Sequence, residues 1–197
     1  MASGGKLSEW PLIDPDRLPA DYLHLGESVD EVQGGLTWHF LFAHDHLLIV
    51  GKEWFRPDVT LPGRWVLSQY EYPIECVPWF ISIVRRSRLP ADDVRALPRG
   101  RMMIWGHAQG ERLEVTRGSA YGGPHVPGFS LDNLSRYEHS SMGVSEHCQI
   151  FEMGDPWLFE GGLLALLESI AQRYGSGGLP GEQPYTNRAE ARAPLKY

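Results

Sequence analysis

Two apolar runs meet at a histidine-rich step in GLTWHFLFAHDHLLIVGKEWF, Gly35 to Phe55, and this stretch constrains the fold more than any other. Leu36 to Phe42 is apolar or aromatic at nearly every position, and His46 to Trp54 continues with Leu47, Leu48, Ile49 and Val50. Such runs, bounded by Gly35 and Gly51, predict strands buried on both faces, with Ala43, His44 and Asp45 as the turn between them. A buried hairpin is the expected result.

Other elements are read around it. Trp65 to Tyr72 mixes aromatic and polar positions, which predicts a strand with one exposed face, ended by Pro73. After Pro78 the run PWFISIVRRSRL fits either a helix or another strand. Residues 101–107 and 111–117 predict a second hairpin, and Cys148 to Met153 another short strand. Residues 118–145 are rich in Gly, Pro, Ser and Asn and read as a long irregular connection. Arg17 to Asp21 recurs as Arg88 to Asp92, and the proline followed by acidic residues predicts short helices at about 21–25 and about 90–97. The clearest helix signal comes last, with Asp155 as N-cap, Pro156 at the first position and an apolar stripe of Leu163, Leu167, Ile170 and Tyr174 before Gly175. Gly161 and Gly162 weaken its first half, so the regular part is expected to begin near Leu163.

These elements predict an α+β fold, a mainly antiparallel sheet with a C-terminal helix packed on one face. The expected organisation is a disordered N-terminus over residues 1–9, a single globular domain over 10–178 and an irregular C-terminal tail over 179–197.

Charge and composition narrow the function classes. The formal charge of -7 disfavours nucleic acid as a partner, because counterion release needs clustered basic residues. No apolar run approaches the roughly 18 residues of a membrane span, and no secretory signal is visible, so a cytoplasmic location with no membrane partner is expected. Cys76 and Cys148 are too few for a disulfide scaffold and are expected to be free thiols. No phosphate-binding glycine loop, GxSxG elbow, HExxH or paired CxxC motif occurs.

Three groups of residues are candidates for function. His39, His44 and His46 carry metal-ligand chemistry, and His44 and His46 would share one face if the strand stays extended, whereas the blander reading puts His44 and His46 at a solvated turn and His39 in the core. Cys148 with His139 could pair as nucleophile and base, against an inert buried thiol and a loop histidine. Tyr121, His125 and Phe129, in the segment read as irregular, are the expected partner-binding residues, since accessible aromatics anchor interfaces. The expected function is binding and neutralising or regulating a basic protein partner, in the manner of immunity or antitoxin proteins, without a cofactor or catalysis. The competing expectations are a small hydrolase or oxygenase with a divalent transition metal at His44 and His46, and a phage or plasmid accessory protein.

Overall fold

The computed structural model describes residues 10–55, 60, 62–97, 102–174 and 183–185. A first antiparallel meander runs through β1 (Leu23–Asp30), β2 (Leu36–Ala43), β3 (His46–Phe55) and β4 (Arg64–Pro73), and leads into helix α1 (Cys76–Ser87). A second contains β5 (Met102–Ala108), β6 (Glu111–Gly118), β7 (Gly128–Ser140) and β8 (Gly143–Gly154). A π-helical turn, Pro156–Glu160, then leads into helix α2 (Leu163–Tyr174), and β9 (Gln183–Tyr185) pairs with β5. Among the described residues the strands form one sheet in the order β1-β2-β3-β4-β7-β6-β5-β9, with β8 on the other edge of β7. The fold is α+β, as expected.

The expected hairpin forms where the sequence places it. His44 and Asp45 carry φ of 49° and 61°, both positive, as a two-residue type I′ turn requires. Gln109 and Gly110, at 49° and 79°, close the β5–β6 hairpin in the same way. Side-chain alternation then separates two faces. Trp38, Phe40, Leu47, Ile49 and Tyr72 join the main core with both helices, while Leu41, Leu48 and Val50 pack on the opposite face under Ile13, Trp10 and Leu18. The chain from Trp10 to Tyr22 is thus a strap that covers the second face of the first meander.

Several expectations are corrected. Residues 23–25 begin β1 rather than a helix, because the open edge of β2 offers Leu23 to Asp30 a full antiparallel ladder. Residues 90–97 make two successive turns, Asp93 N–H to Pro90 O and Ala96 N–H to Asp93 O, and Val94 is fully exposed, so no apolar stripe is present to hold a helix. The 78–89 segment resolves as α1, with Pro78 in its first turn and Val77, Phe80, Ile81 and Val84 buried. The segment 118–145 contains the 13-residue β7, and its polar residues reflect buried polar partners rather than a loop. β4 has no solvated face at Gln69 and Glu71, which are 1% and 0% exposed. Within the region read as tail, Gln183–Tyr185 forms β9. Residues 1–9 and Gly175 lie outside the described residues.

Helix α2 does what its stripe predicts. Leu163, Leu167 and Ile170 are buried, and Tyr174 stacks on Phe42 of β2 with ring centroids 4.6 Å apart. Leu167→Ala should cost about 3 kcal/mol, the transfer of the lost methyls plus the cavity they leave. Urea denaturation measures this as a lower midpoint at unchanged slope.

Candidate functional site

Where the two meanders meet, the sheet ladder nearly fails. β4 pairs with β7 only at Ser68↔Ser140 and Gln69↔His139, and the pairing of β7 with β8 shifts register between Asn133 and Tyr137. Side chains take over the work of the missing ladder. The backbone N–H of Glu71 donates to Gln149 Oε1 at 2.7 Å, and Glu71 O accepts from Asn133 Nδ2 at 2.7 Å. Asn133 and Gln149 are themselves cross-strand partners, so one amide pair satisfies both backbone groups of Glu71.

Arg136 fills the gap. Its Nε and Nη2 donate to Glu111 Oε2 and Oε1 at 2.9 and 2.6 Å, and Nη1 donates to Glu71 Oε2 at 2.9 Å. Arg136 is only 5% exposed, so this is a desolvated pairing between β4, β6 and β7. Burial pushes the Glu111 carboxyl up, but bonds from His46, Arg136 and Asn133 outweigh it and hold the group at about 2. Glu71 moves the other way: burial raises it, against bonds from Gln69, Arg136 and the Trp10 backbone. The strap seals the network, with Trp10 N–H donating to Glu71 Oε1 at 3.0 Å and the indole lying 4.6 Å from the Arg136 guanidinium. With its donors and acceptors matched, this cluster joins two half-sheets and offers no open face to a ligand.

The network also accounts for the candidate histidines. His46 Nδ1 lies 2.9 Å from His44 O and Nε2 lies 2.9 Å from Glu111 Oε1, so both ring nitrogens are occupied by protein groups. His46 is therefore buried and bonded rather than solvated at a turn. His44 sits in the turn beside Trp10 and Tyr22, which breaks the extended backbone that chelation with His46 would need. His39 stands apart on β2, 3.6 Å from Glu27, and burial lowers its pKa while Glu27 opposes this. The three histidines are not brought together.

Of the expected partner residues, Phe129 is 1% exposed and packs edge-on against Phe80, because alternation along β7 turns it into the main core. His125 is exposed at φ 63°, and Tyr121 is half-buried over Gly118. They do not make a common surface with Phe129. Cys76 is a buried free thiol whose pKa burial raises strongly, and Cys148 is a half-buried cysteine, in no disulfide, opposite Tyr137 on β7.

The exposed aromatic surface lies elsewhere, at the far end of the β3–β4 hairpin. Trp54 and Trp65 are directly paired across the strands, 54% and 60% exposed, with rings 5.3 Å apart in an edge-to-face arrangement. The Trp54 indole lies where a Cβ on residue 63 would collide with it, so Gly63 allows the ring to lie against the backbone. Phe55 and Met142 extend the apolar surface. Beside it runs a cleft of about 430 Å³ whose walls include Trp54, Tyr70, Glu53 and Glu138. Burial raises the Glu53 carboxyl, bonds from Ser68 and Tyr70 oppose this, and Glu138 adds repulsion. Sequence reasoning missed this surface, since Trp54 ends an apolar run and reads as core. Comparisons with protein-family models, curated proteins and solved structures found no match to this chain.

Proposed function

We propose that the protein binds a basic protein partner and neutralises or regulates it, using the end of the β3–β4 hairpin as the contact surface. The observation that carries this reading is the exposed Trp54–Trp65 pair, held against Gly63 and flanked by Phe55 and Met142. Large aromatics cost little rotamer entropy to immobilise, and clustered tryptophans supply a disproportionate share of binding energy at interfaces. Neighbouring Glu53 and Glu138 give the surface its preference. A lysine or arginine from the partner entering the cleft would meet two carboxylates and the Tyr70 hydroxyl, and would relieve the repulsion between them. The chain's charge of -7 adds long-range attraction for a basic partner.

Immobilised wild-type chain and a Trp54→Ala, Trp65→Ala chain should be compared for retention of proteins from the native host. The expected result is a basic protein held by the wild type and released by rising salt, with each tryptophan contributing about 2 kcal/mol, roughly 30-fold in affinity. Equal retention by both chains would remove the hairpin end from the interface.

A further inference from the structure

We propose that His24, Glu27 and His39 form a divalent transition-metal site, with zinc as the best-matched ion, that bridges edge strand β1 to β2. The ligand atoms of the three side chains lie within 4.8 Å of one another, the one such group of three His, Cys, Asp or Glu residues among the described residues.

The backbone explains how they meet. Residues three apart on a regular strand point to opposite faces, so His24 and Glu27 would normally diverge. A register shift between His24 and Gly26, where Gly26 takes φ 152°, inserts one extra residue into β1 and turns both side chains to the same face. Glu27 pairs directly with His39, and His24 pairs with Leu41, two residues further along β2 and on the same face. The His24 and His39 rings are 5.6 Å apart between centroids.

His39 supplies a second, independent observation. Its Nδ1 is buried and has no hydrogen-bond partner among the described residues, and Glu27 Oε2 lies 3.6 Å away. A buried ring nitrogen without a partner is uncommon and asks for a ligand. Two imidazoles and one carboxylate suit zinc, which binds such ligands at about 2.0–2.2 Å and accepts a fourth ligand from water. Small rotations of the exposed His24 and Glu27 side chains close the remaining distance, with His39 as the fixed ligand. The metal would tie down a strand that lies at the end of the sheet order. His39 shares a pocket wall with Trp65, but none of the three ligands is replaced in the Trp54→Ala, Trp65→Ala chain, and metal binding and partner retention are read separately, so this proposal can fail without the proposed function and the reverse.

The test is titration of the metal-free full chain with Zn²⁺ by calorimetry and with Co²⁺ by visible absorption, together with amide exchange of β1. One equivalent should bind, Co²⁺ should show the intense bands of low coordination, and His24→Ala and His39→Ala should each weaken binding by roughly 100-fold or more. His24 is exposed, so its variant tests the site without threatening the core. With free Zn²⁺ at 100 times its dissociation constant, β1 amides should exchange about 100-fold more slowly, because opening the strand must release the ion. Absence of stoichiometric binding, binding unaffected by His24→Ala, or binding that leaves β1 exchange unchanged would overturn the proposal. So would binding lost only in His44→Ala.

Discussion

Replacing Arg136 by alanine should destabilise the fold by about 3–5 kcal/mol, toward the upper end of that range, since removing one partner of a buried ion pair leaves the other charge uncompensated. Here two carboxylates, Glu71 and Glu111, would be stranded at 0% and 2% exposure, and Trp10 would lose the cation beneath its ring. The damage should spread across the molecule, because Arg136 connects β4 to β6 where the backbone ladder between β4 and β7 has only two residue pairs. Denaturant unfolding gives the measure. A loss below about 1 kcal/mol would mean that water replaces the guanidinium and that the network does not join the half-sheets. Arg136→Met combined with Glu71→Gln and Glu111→Gln should recover much of the loss, because the stranded charges are then gone.

Asp132→Asn should do the opposite and stabilise the protein at alkaline pH. Asp132 is 7% exposed and its Oδ1 has no hydrogen-bond partner among the described residues. Burial pushes its carboxyl from 3.8 up to about 8, with Ser130 opposing and Glu114 and Glu152 adding repulsion. A raised carboxylate pKa means that the folded chain holds the proton more tightly than the unfolded chain. Between the two values the native state binds more protons, so stability falls as pH rises from about 4 to about 8 and stays low above that. The full difference corresponds to ~6 kcal/mol at pH 9, and asparagine, which has no proton to lose, should restore a large part of it. Asp30, Glu53 and Glu152 are also raised, each chiefly by burial, and slope the same way. Glu111 slopes oppositely: held at about 2, it contributes stability above its ordinary 4.5 that is lost as pH falls toward 2. Stability should therefore peak in mildly acid solution. A wild-type profile flat from pH 5 to 9, or an Asp132→Asn chain no more stable at pH 9, would show that the carboxyl finds a partner when it ionises.

The buried cluster and the exposed hairpin end divide the labour of the molecule. Arg136 and its partners hold two meanders in one sheet, which lets the β3–β4 hairpin project its aromatic pair from a rigid base. The proposed contact surface sits on a strand end, which keeps its geometry better than a loop, whereas of the partner residues expected within 118–145, Tyr121 and His125 lie in the irregular 119–127 stretch and Phe129 is buried in β7.

What could be read without the structure is the local part of the fold. The β2–β3 and β5–β6 hairpins were legible because apolar runs flank steps whose residues tolerate positive φ, such as Asp45 and Gly110. Helix α2 was legible because Leu163, Leu167 and Ile170 repeat at helical spacing, and burial follows from that period alone. The candidate site was almost wholly illegible. Glu71, Glu111 and Arg136 each look like solvated strand residues, and their partners lie 25 to 65 positions away, so only the crossing of β7 from β6 to β4 decides that they are buried together. Trp54 and Trp65 carry the reverse lesson. Their hydrophobicity reads as core, yet the hairpin register carries them past the layer that the helices and the strap cover. Composition and period determine which segments pair or coil because those preferences act over a few residues. Which polar groups leave water and which aromatics stay in it depends on what the rest of the chain lays over them, and only the tertiary structure decides that.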